Sequence, residues 1–79
     1  MYYVYILQSI PTSRYYVGST KNIENRLRKH NAGHSVATKA YRPWRLVYQE
    51  EFQTRGDALR REYEIKKHKS RSYISSLRG

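Results

Sequence analysis

The chain lacks cysteine altogether, and among 79 residues it has only six acidic side chains; Leu, Ile, Val and Phe together number 15. Without cysteine there is no disulfide framework, thiolate metal site or cysteine nucleophile, and a cytoplasmic setting fits. The longest apolar run, Tyr2 to Leu7, is six residues, far short of the roughly 20 that a membrane span requires. No Lys or Arg precedes Arg14, so the basic leader of a signal peptide is missing too. No repeat, linker or low-complexity tract interrupts the chain, and one domain over residues 1–79 is expected. Scarce aliphatics with a net charge of +10 make the composition of a disordered chain. Nine Tyr and one Trp argue for folding instead, because a tyrosine ring can be buried while its hydroxyl stays wet. The expected core is thin and tyrosine-rich.

The charge is clustered. Residues 21–45 sum to +6 and residues 55–71 to +4, on either side of an acidic stretch, 46–54, at −2. Such a balance implies nucleic acid as the partner. An anionic membrane surface fits less well, because no basic helix carries a Trp/Phe/Leu-rich face.

Tyr2-Tyr3-Val4-Tyr5-Ile6-Leu7 is aromatic and β-branched, which predicts a strand, and Arg14 to Gly18 is its hairpin partner across Pro11-Thr12-Ser13. Asn22 is the expected cap of a helix that Gly33 stops. Residues 34–43 are turn-like and basic. Leu46 to Phe52 is a third strand. Thr54, with Asp57 three residues on, starts a helix to about His68, and Ser70 or Ser72 starts a last one carrying Tyr73, Ile74 and Leu77. The order ββαβαα predicts an α+β fold, a small three-stranded antiparallel sheet flanked by helices.

Helical periodicity identifies polar residues on apolar faces. With Ile23 at 0°, Leu27 falls at about 40°, His30 at about −20° and Arg26 at about −60°. An arginine and a histidine one turn apart are thus aimed along the sheet-facing edge. In the later helix Ala58, Leu59 and Ile65 define an apolar arc, and Glu62 falls inside it, while Glu64 points outward with Lys67. A carboxylate there is costly unless paired or bound to a cation. Each residue alone has a structural explanation: a snorkelling arginine, an interior histidine, an Arg26–Glu62 salt bridge. Together, beside a tyrosine-rich hairpin, they make a candidate phosphodiester site, with a cation for phosphate, a carboxylate for metal and hydroxyls for proton transfer.

These residues resemble the GIY-YIG nuclease superfamily. Tyr3-Val4-Tyr5 matches the first motif and Tyr16-Val17-Gly18 the second; Ser19-Thr20-Lys21-Asn22 and the helix with Arg26 and His30 follow. Ala58-Leu59-Arg60-Arg61-Glu62 and then Ile65-Lys66 are similar to the family's glutamate helix. The likeness runs from about Tyr2 to Lys67, as in the short stand-alone bacterial members. It implies active-site tyrosines at Tyr5 and Tyr16, a phosphate contact at Arg26, a proton-transfer partner at His30, and at Glu62 the ligand of a single divalent metal, Mg²⁺ or Mn²⁺. Tyr3 stands where the first motif has glycine, and Val replaces Ile in both motifs. Many family nucleases carry an asparagine after the glutamate; here none follows Asn31, leaving Ser70, Ser72 or water as stand-ins.

One inward carboxylate suits one hard, largely hydrated cation rather than a two-metal site. Tyrosine takes the base role, Tyr5 with Tyr16 as partner or the reverse. Ionising a free phenol at pH 7 costs roughly 4 kcal/mol, which Arg26 is expected to reduce. The expected phosphate contacts are Lys21, Arg28, Lys29, Lys39, Arg42 and Arg45, with Lys66, Lys67 and Lys69 as a second bank. Trp44 is expected in the core, and Tyr41 is a candidate for base stacking. Nothing reads base sequence, so the expected protein is a monomeric DNA endonuclease of repair or recombination, selecting structure rather than sequence. The alternative is a non-catalytic nucleic-acid-binding module acting with a protein partner, which the missing asparagine favours.

Overall fold

The computed structural model describes residues 1–68 and 70–78. Strand β1 (Tyr2–Ser9) and strand β2 (Tyr15–Thr20) form the expected antiparallel hairpin, with Tyr5 opposite Gly18 and Leu7 opposite Tyr16. Its turn closes through the Ser13 N–H on the Ser9 carbonyl, with Ser13 itself at a left-handed φ of 64°.

Helix α1 (Ile23–Asn31) begins where Asn22 Oδ1 accepts the Asn25 N–H at 2.9 Å. It ends at Gly33, whose φ of 83° lets the Gly33 and His34 N–H groups reach the His30 and Lys29 carbonyls. A one-turn helix, α2 (Val36–Lys39), lies inside the segment expected to be a turn. Strand β3 (Trp44–Phe52) starts two residues earlier than expected and pairs with the free edge of β1, giving the order β2-β1-β3. Asn31 holds that early start: its side chain accepts the Trp44 N–H at 2.6 Å and donates to the Trp44 carbonyl. A register shift pairs Ile6 with Tyr48 but Leu7 with Leu46, so Val47 and Tyr48 pack against the same core.

Helix α3 (Arg55–Lys67) starts on Thr54, whose hydroxyl accepts the Asp57 N–H. Helix α4 (Arg71–Arg78) starts on Ser70, whose Oγ accepts the Tyr73 N–H at 3.1 Å. Strand alternation then splits the molecule into two layers. Val4, Ile6 and Val17 face α3 and α4 and pack with Ala58, Ile65 and Ile74. Tyr5, Leu7 and Tyr16 face the other way, with Ile23 and Leu27 of α1 and with Trp44. The fold is therefore the expected α+β arrangement, a three-stranded antiparallel sheet with helices on both faces.

The buried face of α3 is rotated from its expected position. Leu59 is 45% exposed, whereas Arg61 is partly buried and forks onto Glu50, with Nε–Oε1 at 2.8 Å and Nη2–Oε2 at 2.9 Å. Tyr48 also donates to Glu50, and Arg61 reaches Glu64 and the Tyr73 hydroxyl. The pairing with Arg61 holds the Glu50 carboxyl below its ordinary pKa despite partial burial. This network ties β3, α3 and α4 together with bidentate geometry that a bare apolar stripe does not predict.

Candidate active site

The two motif tyrosines and His30 converge on the α1 side of the sheet. Tyr5 Oη lies 3.1 Å from His30 Nε2, and the Tyr16 ring stands edge-on to the imidazole with centroids 4.9 Å apart. Gly18 makes this possible. A Cβ there would sit 2.5 Å from Tyr5 Oη and 2.7 Å from Cζ, so only glycine lets the phenol lie across the edge strand. The third residue of Tyr16-Val17-Gly18 thus acts by being absent as a side chain.

His30 is 2% exposed, as its place on the α1 face predicted. Its second nitrogen, Nδ1, is 2.8 Å from Thr38 Oγ1, and Thr38 is itself fully buried. The Trp44 indole N–H donates to the Thr38 carbonyl at 2.9 Å, which confirms the core position of Trp44 and anchors α2 beneath the imidazole. Thr38 escaped the sequence reading because its partner is eight residues away in a segment without periodicity. Burial, with Arg26 nearby, lowers the His30 pKa from its ordinary 6.5, so the ring is neutral at neutral pH.

Arg26 corrects one expectation. Its backbone position lies beside the apolar stripe, but the residue is exposed at the layer's rim, without an ion pair to Glu62 among the described residues. It lines a groove of about 420 Å³ with Ser19, Thr20, Lys21, Arg55 and Ala58. Three of these residues are cationic and none is acidic, which suits a phosphate chain. Arg55 was missed, since its approach to Arg26 depends on how α3 docks against β2.

Glu62 lies one turn beyond Ala58, with its side chain 17% exposed and Oε2 accepting from Lys66 Nζ at 2.6 Å. Its charge and that of Arg26 both act on Tyr5, in opposite directions. Burial outweighs both and pushes the Tyr5 phenol well above its ordinary value of 10, so Arg26 does not make this phenol easy to ionise. No group of three or more His, Asp or Glu able to hold a metal occurs among the described residues. A cation at Glu62 would have one protein carboxylate, and the donor set fits a hydrated Mg²⁺ better than a caged ion.

The expected phosphate contacts fall into separate groups. Lys21 shares the Arg26 groove and stands over the Tyr2 ring, while Lys39 and Arg42 flank a second hollow beside Val36. Arg28 and Lys29 are exposed on α1, Arg28 bonded to Asn25, and Arg45 donates to Gln8 on β1. In the second bank Lys66 is tied to Glu62, Lys67 lines a hollow on the outer side of α3, and Lys69 lies outside the described residues. That outer hollow, about 640 Å³, is larger than the groove, but its Arg60 and Arg61 are already paired with Asp57 and Glu50. Tyr41 is half-buried under the Arg14 guanidinium, which removes it as a free stacking platform. Of the two serines named as stand-ins for the missing asparagine, Ser70 is engaged as the α4 cap, and Ser72 is exposed on that helix.

Residues 1–74 match the family model described as the GIY-YIG catalytic domain. A UPF0213 protein of Staphylococcus saprophyticus is 50% identical over 66 residues, covering 82% of this chain and 79% of that protein. A UPF0213 protein of Staphylococcus aureus is 46% identical over the same length and coverage. The solution NMR structure of a UPF0213 protein from Bacillus halodurans superposes with a TM-score of 0.58 at 37% identity, covering 98% of this chain and 82% of the other. The chain belongs to the GIY-YIG family, alongside the small bacterial UPF0213 proteins of that nuclease superfamily.

Proposed function

We propose that this chain is a divalent-metal-dependent DNA endonuclease that hydrolyses phosphodiester bonds and selects DNA by structure rather than sequence. The observation that carries the reading is the hydrogen-bonded Tyr5–His30 pair laid over Gly18, with Tyr16 against the imidazole and Arg26 at its rim. Hydrolysis requires a deprotonated water, a held phosphate and a protonated leaving oxygen. Arg26, with Lys21 and Arg55 along the groove, holds the phosphate chain. Tyr5 stays a neutral phenol and orients or donates, so the base role falls to the less buried Tyr16. Glu62 would hold the cation, which when bound would supply positive charge beside the phosphate; Lys66 Nζ pairs with Oε2 of the same carboxylate.

Electrostatic contacts by Lys21, Arg28, Lys29, Lys39, Arg42 and Arg45 supply affinity without sequence preference. Six such contacts lower affinity roughly a thousandfold or more between about 50 and 200 mM salt. The deciding experiment incubates branched, single-stranded and duplex DNA with Mg²⁺ or Mn²⁺ and compares wild type with Glu62→Gln. Metal-dependent nicking of branched DNA that disappears in the variant supports the proposal. Tight binding without cleavage in both proteins supports instead the binding module acting with a partner nuclease, the reading that the missing asparagine favours.

A further inference from the structure

β2 is an edge strand whose two ends both open onto cationic hollows. At the Thr20 end lies the groove with Lys21, Arg26 and Arg55. At the Tyr15 end, Ser13, Arg14 and Tyr15 meet Ser70 and Arg71 at the start of α4, around a hollow of about 290 Å³. Arg78, seven residues beyond Arg71 and so on the same face of α4, donates to the Tyr15 hydroxyl at 3.3 Å. Arg14 is stacked on the Tyr41 ring, which uses the guanidinium face and leaves its N–H edge for an anion. No carboxylate lines either hollow. Every ion pair among the described residues draws its cation from α3, so the three arginines at the Tyr15 end keep their full charge. Gathering like charges without a counter-ion is unfavourable, and a bound anion relieves it.

We propose that Arg14, Arg71 and Arg78 form a second phosphate site, and that one DNA strand lies along the β2 edge from this site to the Arg26 groove. The six residues of β2 span about 17 Å at roughly 3.3 Å per step, and a DNA strand carries a phosphate about every 3.4 Å along its axis. About six phosphates therefore bridge the two ends. Tyr16, and Tyr5 lying across Gly18, stand between them, so the phosphate at the tyrosines is gripped on both flanks. One flank alone would let the strand pivot about the site, whereas two fix its direction across the tyrosines. The arginines of α4 meet phosphates rather than base edges and add no sequence preference. The path rests on the proposed action on DNA, but occupying it does not require cleavage.

Metal-free binding of a fluorescent DNA duplex, followed by anisotropy from about 50 to 200 mM salt, tests the site. Arg71→Gln and Arg78→Gln should each make the slope of log affinity against log salt shallower by about 1. The double variant should bind at least about tenfold more weakly at about 50 mM salt. Arg60→Gln removes the same charge from the outer side of α3 and should leave the slope unchanged. Equal slopes in the three single variants would overturn the site, leaving net charge as the only determinant of binding. An NMR titration with a DNA strand of about six nucleotides tests the path. The amides of Arg14 and Arg71 should shift together with those of Ser19 to Lys21, at one midpoint. Shifts confined to one end of β2 would overturn the path. If both expected results appear in a chain that does not cleave, the path stands and the nuclease reading alone fails.

Discussion

Tyr5 and Ile6 are neighbours in β1 that face opposite layers, and the layers differ in what holds them together. On the Ile6 side, Val4, Val17, Ala58, Ile65 and Ile74 form an aliphatic core flanked by the Arg61–Glu50 fork. On the Tyr5 side, Leu7 and Trp44 share the interior with His30 and Thr38, and hydrogen bonds do much of the fastening. Apolar burial is non-directional, whereas a buried polar network fixes the orientation of each member. The aliphatic layer can therefore carry stability while the aromatic layer carries orientation. A chain with so few aliphatics is thus able to concentrate them on one face.

Substitutions on the two layers should separate these roles, and the largest effect is expected at the rim. Glu62→Gln should reduce metal-dependent cleavage by about a hundredfold to a thousandfold, read from initial rates, with little change in thermal midpoint. In the aliphatic layer, Ile65→Ala should cost about 2–5 kcal/mol in urea unfolding while the folded fraction cleaves normally. Gly18→Ala joins the two effects. Its Cβ collides with Tyr5 Oη, so stability should fall by about 1–3 kcal/mol and cleavage should fall with it.

The smallest effect expected is in the pH dependence. His30 has a folded pKa below its ordinary 6.5, so its stabilising contribution is complete above that value and is lost as pH falls through the folded value. Glu50 has a folded pKa below its ordinary 4.5, so its contribution is complete above that and is lost at still lower pH. Acid titration followed by NMR should therefore disturb the Tyr5 layer first and the Ile6 layer second. Loss of both layers in one step near pH 4 would break the comparison.

The parts of this molecule that depend on neighbours along the chain were legible in its sequence. Asn22 and Thr54 cap the helices they were expected to cap, Gly33 ends α1, and the two motif segments form the hairpin. The inward face of His30 followed from its spacing to Ile23 and Leu27. What was illegible depends on docking. Arg55 joins Arg26 only because α3 packs against β2, and Thr38 meets His30 only because Trp44 holds α2 down. The inward turn of Arg61 is of the same kind, because a carboxylate from β3 makes its partial burial favourable. The cost of ionising Tyr5 was misjudged for a related reason. Residue type indicated a cation nearby, whereas depth of burial, which outweighs it, is a property of the packed layer.

The most direct test of this division sets Tyr5→Phe beside Ile6→Val. Each removes about one heavy atom from a buried neighbour in β1. Each should cost about 1 kcal/mol, through a lost hydrogen bond in the first and a small cavity in the second. With stability matched, DNA cleavage isolates the chemistry. The expected result is a wild-type rate for folded Ile6→Val and a rate at least about a hundredfold lower for Tyr5→Phe. Equal cleavage by the two variants would contradict the assignment of the site to the aromatic layer.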